Sequence, residues 1–185
     1  MTHVVLRLAL VLAGLTGGIS LAQGSRFDLK AWTAVGDANW SVAEDVVQAD
    51  KGSGLLVTPT DYGDFHMTVE VWVDPDANSG VFIRCSDPKT ITATNAYEVN
   101  IYDKRPDQAY RTGAIVNVAK PLAKVDAGGK WNTLEITAKG SKMTVVLNGV
   151  TTVREAEDAK FPRGRIALQY GSGTVKFRNV RIHPL

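Results

Sequence analysis

The chain has 185 residues, 44% of them apolar, and a net charge of +2, so it is long enough for one domain with a substantial core. It contains no basic run, which argues against a nucleic-acid partner because phosphate binding needs clustered Lys and Arg. Cys85 is the single cysteine and therefore excludes an internal disulfide. After residue 22 the only histidines are His66 and His183, too few with Cys85 for a metal site of several nitrogen or sulfur ligands.

Residues 1–22 have the pattern of a secretory signal peptide. Arg7 precedes an apolar run over residues 8–15, and Ser20, Leu21 and Ala22 fit the small-x-small rule for cleavage after Ala22. The run is shorter than the roughly 20 residues that span a bilayer; an uncleaved anchor is the alternative. We expect an exported protein, periplasmic or secreted, with one mature domain over residues 23–185 and no membrane contact after cleavage.

The rest of the chain predicts an all-β antiparallel sandwich. Short apolar or alternating runs recur between Gly, Asp, Asn and Pro, and no segment keeps a helical period. The predicted strands are residues 40–42, 46–49, 54–58, 65–73, 79–85, 96–102, 131–139, 142–147, 150–155, 164–169 and 175–183.

Two turns and one long connection organise these strands. Gly140-Ser141 and Asn148-Gly149 are tight hairpin turns, which makes residues 131–153 a three-stranded meander. Residues 103–129 are rich in Pro, Lys, Asp and Gly and are predicted to be irregular. A connection of that length in a compact domain is usually functional or disordered.

Seven motifs occur in order along the chain: Tyr62-Gly-Asp-Phe65, Asn78-Ser-Gly-Val-Phe-Ile-Arg84, Tyr97-Glu-Val-Asn-Ile-Tyr-Asp103, Thr112-Gly-Ala-Ile115, Trp131-Asn-Thr133, Leu147-Asn-Gly-Val150 and Arg178-Asn-Val-Arg-Ile182. Together they resemble the 3-keto-disaccharide hydrolase-like domain family, over residues 27–185. The resemblance implies a concanavalin A-like lectin/glucanase fold, a jelly roll of two antiparallel sheets with carbohydrate chemistry on the concave face. It also implies an exported protein that cleaves glycosides whose sugar was first oxidised at C3.

Two departures from the family pattern concern the expected site. Asn100 stands where the family often has Gln. After Gln169 the family commonly reads Asp-His-Gly, whereas this chain has Tyr170, Gly171 and Ser172 and so lacks the His. The missing His favours a non-catalytic glycan-binding module as the alternative to an enzyme.

Strand alternation predicts which polar side chains share a face, since every second residue points the same way. Glu98, Asn100 and Tyr102 lie on one face of their strand, and Glu70 lies with Trp72, Arg84 with Phe82, and Gln169 with Ala167. If these strands form one sheet, a polar patch results, composed of Glu70, Arg84, Glu98, Asn100 and Gln169 with Trp72 beside it. Planar hydrogen-bonding groups next to an aromatic ring are what a sugar site needs.

Carboxylates in this patch are candidates for acid–base catalysis on a 3-keto sugar. The ketone acidifies the C2 proton, so a base can remove it and the C1 substituent leaves; water can then add back. Glu98 is the first candidate for the base and Glu70 the second. Arg84, or a divalent cation held by oxygen ligands, would polarise the ketone. Lys120, on the long connection, could close over the site.

Each of these assignments has a structural alternative. Arg84 with a glutamate could be a cross-strand ion pair, Asn78 is either a turn cap or a sugar ligand, and Trp72 either surface packing or a sugar platform. Asp103 is a candidate cap of the long connection or a cation ligand, and the metal stays unidentified. An envelope structural protein without a sugar ligand is the third hypothesis.

Overall fold

The computed structural model describes residues 27–185; the predicted leader, residues 1–22, lies outside them. No helix within this range is long and apolar enough to cross a membrane. Two short 3-10 helices occur, at Leu29–Ala31 and Gln108–Tyr110. Everything else of regular structure is β-strand: β1 Thr33–Gly36, β2 Ser41–Ala43, β3 Val46–Ala49, β4 Gly54–Val57, β5 Phe65–Val73, β6 Asn78–Cys85, β7 Tyr97–Ile101, β8 Trp131–Lys139, β9 Lys142–Leu147, β10 Val150–Glu157, β11 Arg165–Ser172 and β12 Val175–Pro184.

These strands form two sheets packed as a sandwich, which confirms the predicted fold. A five-stranded sheet has the order β1-β4-β11-β6-β7, and a seven-stranded sheet has the order β10-β9-β8-β5-β12-β3-β2. Neighbouring strands are antiparallel in both. All eleven predicted strands are present. The one missed strand, β1, is a short edge strand with mostly exposed residues and no hydrophobic alternation.

The core lies between the two sheets and follows from the period-2 pattern. Along β5 every second residue is buried, including Val69 and Val71. They belong to one hydrophobic cluster with Val81 of β6 and Val99 of β7 on the inner face of the other sheet. The residues between these inward positions therefore point to the outer face of each sheet.

The long connection 103–129 is folded and closes one side of the sandwich. Ile115 pairs with Val99 beyond the edge of β7, and Leu122 N donates to Thr152 O on β10 of the other sheet, at 2.7 Å. This connection therefore reaches from the edge of one sheet to the edge of the other. The predicted irregular segment has ordered contacts with both.

Candidate functional site

A row of side chains crosses the outer face of the five-stranded sheet. Gln169 of β11 is opposite Gly80 of β6, and Gly80 is opposite Asn100 of β7. In the neighbouring row Phe82 is opposite Glu98. Alternation places all of these residues on the side of the sheet that faces away from the core, so three strands contribute to one surface.

Gly80 lets neighbouring groups approach the backbone closely in the middle of this surface. A Cβ atom at this position would lie 3.0 Å from Gln169 Oε1, 3.0 Å from Val99 O and 3.6 Å from Glu98 Cγ. The carboxamide of Gln169 and the side chain of Glu98 therefore both lie against Gly80. Even the methyl group of an alanine at position 80 would be in tight contact with Gln169 Oε1 and Val99 O.

Three carboxamide oxygens of this region are buried and have no hydrogen-bond partner among the described residues: Asn78 Oδ1, Asn100 Oδ1 and Gln169 Oε1. Asn78 lies beside Gly171, where a Cβ atom would come within 2.8 Å of its Nδ2. A buried acceptor without a partner costs about 1–3 kcal/mol. Within residues 27–185, these three oxygens are the carboxamide acceptors that a bound water or a hydrogen-bond-donating ligand would satisfy.

The long connection holds Asn100 in this orientation. Asn100 Nδ2 donates to Tyr110 O at 2.6 Å, and its backbone N donates to Ala114 O at 3.0 Å. This bond engages one of the two side-chain N–H groups of Asn100, and the Oδ1 atom has no partner among the described residues. The side chain is fully buried, so this oxygen is fixed rather than free to turn to solvent.

Glu98 is the carboxylate of this surface, and its environment favours the protonated form. It is 7% exposed, and no described residue donates a hydrogen bond to its carboxylate. Burial raises the pKa of Glu98, and the positive charge of Arg105, on the long connection, opposes this rise. A carboxyl group with a raised pKa is suited to take up a proton and to give it back.

Glu70 and Trp72 do not join this surface, and the expectation that they would is wrong. Both lie on β5, which belongs to the seven-stranded sheet, so the core separates them from Glu98. Glu70 accepts hydrogen bonds of 2.7 Å from Arg178 Nε and from Asn179 Nδ2. Lys176 Nζ lies 4.9 Å from the ring centroid of Trp72. Their neighbours are structural partners on the opposite side of the molecule.

Arg84 is also absent from the surface, although its strand contributes to it. Its φ of 53° is left-handed, which interrupts the alternation that Phe82 follows. Its guanidinium is completely buried and donates to Gly63 O at 3.0 Å and to Gly140 O at 2.7 Å. It also pairs with Asp64 at 3.1 Å. Arg84 therefore joins loops at one end of the sandwich instead of facing a ketone.

Lys120 is exposed, and its segment runs between the paired Ile115–Ala119 stretch and the contact of Leu122 with β10. No contact within residues 27–185 brings its side chain over Gly80. The predicted closure by Lys120 therefore has no support from the arrangement of this connection.

Asp103 anchors the long connection. Its carboxylate accepts hydrogen bonds from Thr112 Oγ1 at 2.5 Å and from the backbone N of Ala127 and Gly128, both at 2.9 Å. Across the described part of the chain, no group of three or more His, Cys, Asp or Glu side chains is arranged to hold a metal ion. With both Asp103 oxygens engaged, the residues present do not fit the divalent cation that the sequence suggested.

Two contributors to the site were not predicted from the sequence. Gly80 looks like an ordinary small residue in a strand, yet the register places it between Gln169 and Asn100. Arg105 looks like one charge among many in the long connection. An isolated glycine inside a strand pattern is a signal of close approach that could have pointed to Gly80; nothing comparable marks Arg105.

The fold recurs in several solved structures. Two candidate glycosyl hydrolases of Parabacteroides distasonis match with TM-scores of 0.70 and 0.73 at 24% and 21% identity; the matches cover 83% and 85% of this chain and 99% and 90% of theirs. Carbohydrate binding module CBM66 of Bacillus subtilis matches with a TM-score of 0.66 at 21% identity, covering 83% of this chain and 95% of that one. Similarity at this level establishes a shared β-sandwich fold.

The family follows from the sequence. The profile of the 3-keto-alpha-glucoside-1,2-lyase-like domain matches residues 17–183, so the chain belongs to that family, as the seven motifs indicated. The comparison with curated proteins finds no match.

Proposed function

We propose that this protein is an exported enzyme that cleaves the glycosidic bond of 3-keto-glycosides on the outer face of the five-stranded sheet, beside Glu98. The observation that carries this proposal is made within residues 27–185: a buried Glu98 that accepts no hydrogen bond lies on the same sheet face as three carboxamide oxygens without a partner. Carboxamide oxygens accept hydrogen bonds from sugar hydroxyls, and a carboxylate among them is within reach of a C–H proton on the same ring. Membership in a lyase-like family supports the substrate class.

Elimination across C1 and C2 of such a sugar needs one base. Glu98 takes the proton from C2, and the electron pair of the broken C–H bond forms an enolate with the C3 ketone. The enolate then expels the C1 oxygen substituent, which leaves with a proton returned by Glu98. The product is an unsaturated keto sugar, and addition of water at C1 completes net hydrolysis. Raised basicity of Glu98 favours the first step.

Arg105 is the cation that we assign to the developing enolate. Its charge acts on Glu98, and within residues 27–185 its guanidinium makes no hydrogen bond or ion pair. A positive charge near the C3 oxygen would stabilise the enolate. This replaces the role expected for Arg84.

Ordinary glycoside hydrolysis is a poorer match to this surface. It uses two carboxyl groups on either side of the bond, and among the strands of the five-stranded sheet only Glu98 presents one outward. A thiolate nucleophile is also disfavoured, because burial raises the pKa of Cys85 to about 12. Chemistry that needs a single base suits the residues better.

A glycan-binding module is the second candidate function. The same three acceptor oxygens would bind the hydroxyls of an unoxidised sugar, and the fold is shared with a protein named as a carbohydrate binding module. The missing His after Gln169 also favours this candidate. The two candidates differ in the role of Glu98, which only the enzyme requires as a base.

The deciding experiment is a turnover assay of the purified protein on a chromogenic 3-keto-glucoside, with and without chelator. We expect aglycone release that persists with chelator and disappears in Glu98→Gln. Binding of unoxidised glycans without release from the 3-keto-glucoside would contradict the enzyme and support the binding module.

A further inference from the structure

A row of polar and aromatic side chains crosses the outer face of the seven-stranded sheet, on the far side of the core from Glu98. Its members are consecutive partners across β2, β3, β12, β5 and β8: Ser41, Gln48, Lys176, Trp72 and Trp131. All five are at least partly exposed to solvent. Since neighbouring strands are about 4.8 Å apart, the row is on the order of 19 Å long. It can therefore contact several units of a chain-like ligand.

One end of the row lines a polar cavity of about 290 Å³. Ser41, Gln48 and Lys176 belong to its lining, so the cavity and the row share three residues. No described residue forms a hydrogen bond with the hydroxyl of Ser41 or with the carboxamide of Gln48. These groups, together with the hydroxyl of Thr174 on the cavity wall, remain available to bind the hydroxyl groups of a ligand.

The other end of the row consists of two indole rings. Trp72 and Trp131 are directly opposite each other across β5 and β8. Arg178 Cζ lies 4.0 Å from the ring centroid of Trp131, and Glu70 holds this guanidinium in place through a 2.7 Å hydrogen bond. Lys176 Nζ lies 4.9 Å from the ring centroid of Trp72, a weak contact at a partly exposed site, so this flexible side chain can turn aside for a ligand. Indole rings offer the apolar face of a sugar a large contact area at low entropic cost.

The charges along the row balance each other. In the cavity lining, Lys176 is accompanied by Asp50. Beside the rings, Arg178 forms an ion pair with Glu70 at 2.7 Å. A polyanion would thus find no excess of positive charge here, whereas a neutral ligand with many hydroxyl groups and an apolar ring face matches both ends of the row.

We propose that this face binds a neutral glycan chain at a second site, separate from the reaction surface. One sugar unit lies in the cavity, within hydrogen-bonding reach of Gln48 and Ser41, and a following unit lies against the ring of Trp72. Because the core separates this face from Glu98, the glycan bound here is a docking ligand and not the bond that is cleaved. The site goes beyond the proposed reaction and does not depend on it; its effect is to keep the protein on a polysaccharide.

Calorimetric titration with unoxidised cellohexaose, maltohexaose, mannohexaose and xylohexaose tests this site. We expect at least one of them to bind about tenfold or more tightly than its monosaccharide, because only a chain spans the row. Trp72→Ala should lower the affinity for that hexasaccharide about tenfold, and Gln48→Ala about fivefold. His66→Ala is the matched control with unchanged affinity, since His66 is also half-buried and lies on the same face of β5, six residues away from Trp72.

A second measurement covers the case in which Trp72→Ala does not fold. Glycan binding should change the tryptophan emission of the wild type, and most of this change should be absent in Trp72→Phe, which keeps an aromatic ring. Loss of 3-keto-glucoside turnover has no bearing on these readouts, so the proposed reaction can fail while the site stands.

Three results would overturn the second site and leave the reaction untouched. The first is binding of none of the four hexasaccharides. The second is unchanged affinity in both Trp72→Ala and Gln48→Ala. The third is an affinity that falls in Gln169→Ala but not in Trp72→Ala, which would place the glycan on the five-stranded sheet.

Discussion

The outer faces of the two sheets carry similar polar residues, but these residues differ in whether they have hydrogen-bond partners. On the seven-stranded sheet, Glu70 bonds with Arg178 and Asn179, and Arg178 also lies 4.0 Å from the ring centroid of Trp131. On the five-stranded sheet, Glu98 and the nearby carboxamide oxygens have no described partner. Both faces look like sugar sites in the sequence. Among the described residues, the buried carboxamide oxygens without a partner lie on the five-stranded sheet.

The pKa values of the two glutamates differ from the ordinary value in opposite directions, for the same reason. Burial acts to raise the pKa of Glu70, but hydrogen bonds from Asn179 and Arg178 outweigh it and leave that pKa below its ordinary value. Burial raises the pKa of Glu98, with only the charge of Arg105 against it. A glutamate that is stabilised as the anion holds a sheet together, whereas one that is destabilised as the anion is available as a base.

The two faces should differ most in how Glu98→Gln and Glu70→Gln change kcat. Loss of the base should lower kcat on a 3-keto-glucoside by about 10²–10⁴-fold, while Glu70→Gln should change kcat less than about twofold because it lies across the core. Steady-state kinetics of both variants checks this. Equal losses in both would mean that neither face holds the base.

Adding a side chain at Gly80, which would push against the carboxamide of Gln169, should have the next largest effect. Gly80→Ala places a methyl group 3.0 Å from Gln169 Oε1, so we expect sugar affinity to fall about tenfold, or about 1.4 kcal/mol. Gly63→Ala is the matched control, since its nearest atom would be 3.9 Å away. Calorimetric titration with a glucoside measures both. Unchanged affinity in Gly80→Ala would place the sugar elsewhere.

Removing one carboxamide from each face should separate binding from stability. Gln169→Ala takes away a buried acceptor without a partner, so sugar affinity should fall about fivefold while the free energy of unfolding does not fall. Asn179→Ala breaks the bond to Glu70 and should lower that free energy by about 1 kcal/mol, with affinity unchanged. Urea unfolding and titration of both variants test this pair; a destabilised Gln169→Ala would contradict it.

The pH dependence of stability should have opposite signs for the two glutamates. The folded pKa of Glu98 lies above the ordinary 4.5, so its contribution to stability is complete below pH 4.5 and is lost as pH rises through the folded pKa. The folded pKa of Glu70 is lowered, so its contribution is present above pH 4.5 and is lost as pH falls through that pKa.

Urea unfolding of wild type, Glu98→Gln and Glu70→Gln between pH 3 and 8 measures both contributions. Relative to wild type, Glu98→Gln should gain stability with rising pH and Glu70→Gln should lose it. The acid limb of kcat/KM should also lie above pH 4.5. A limb at or below that value would mean that Glu98 is not the group that titrates.

The sequence predicted this architecture well because alternation and turn residues act locally. The Asn148-Gly149 turn and the regular burial along β5 can be predicted from the sequence without any tertiary information. The same alternation correctly places Glu98, Asn100 and Gln169 on outward positions of their strands. These inferences need only the period of a strand.

What the sequence could not supply was the partition of strands between sheets. Glu70 has the right parity but lies on β5, in the other sheet, and parity alone does not show which sheet a strand joins. Arg84 fails for a different reason, since one left-handed residue reverses the direction of its side chain. Neither the long-range strand pairing nor the φ angle of Arg84 can be predicted from the local sequence pattern.

The connection that holds Asn100 has a further consequence for the edge of its sheet. β7 is an edge strand, yet Gly113 N bonds to Asn100 O and Val116 N bonds to Glu98 O, both at 2.9 Å. The backbone groups that an edge strand would offer to another chain are thus occupied from within. β7, which carries Glu98 and Asn100, is thereby protected from intermolecular strand pairing, and so from aggregation through this edge.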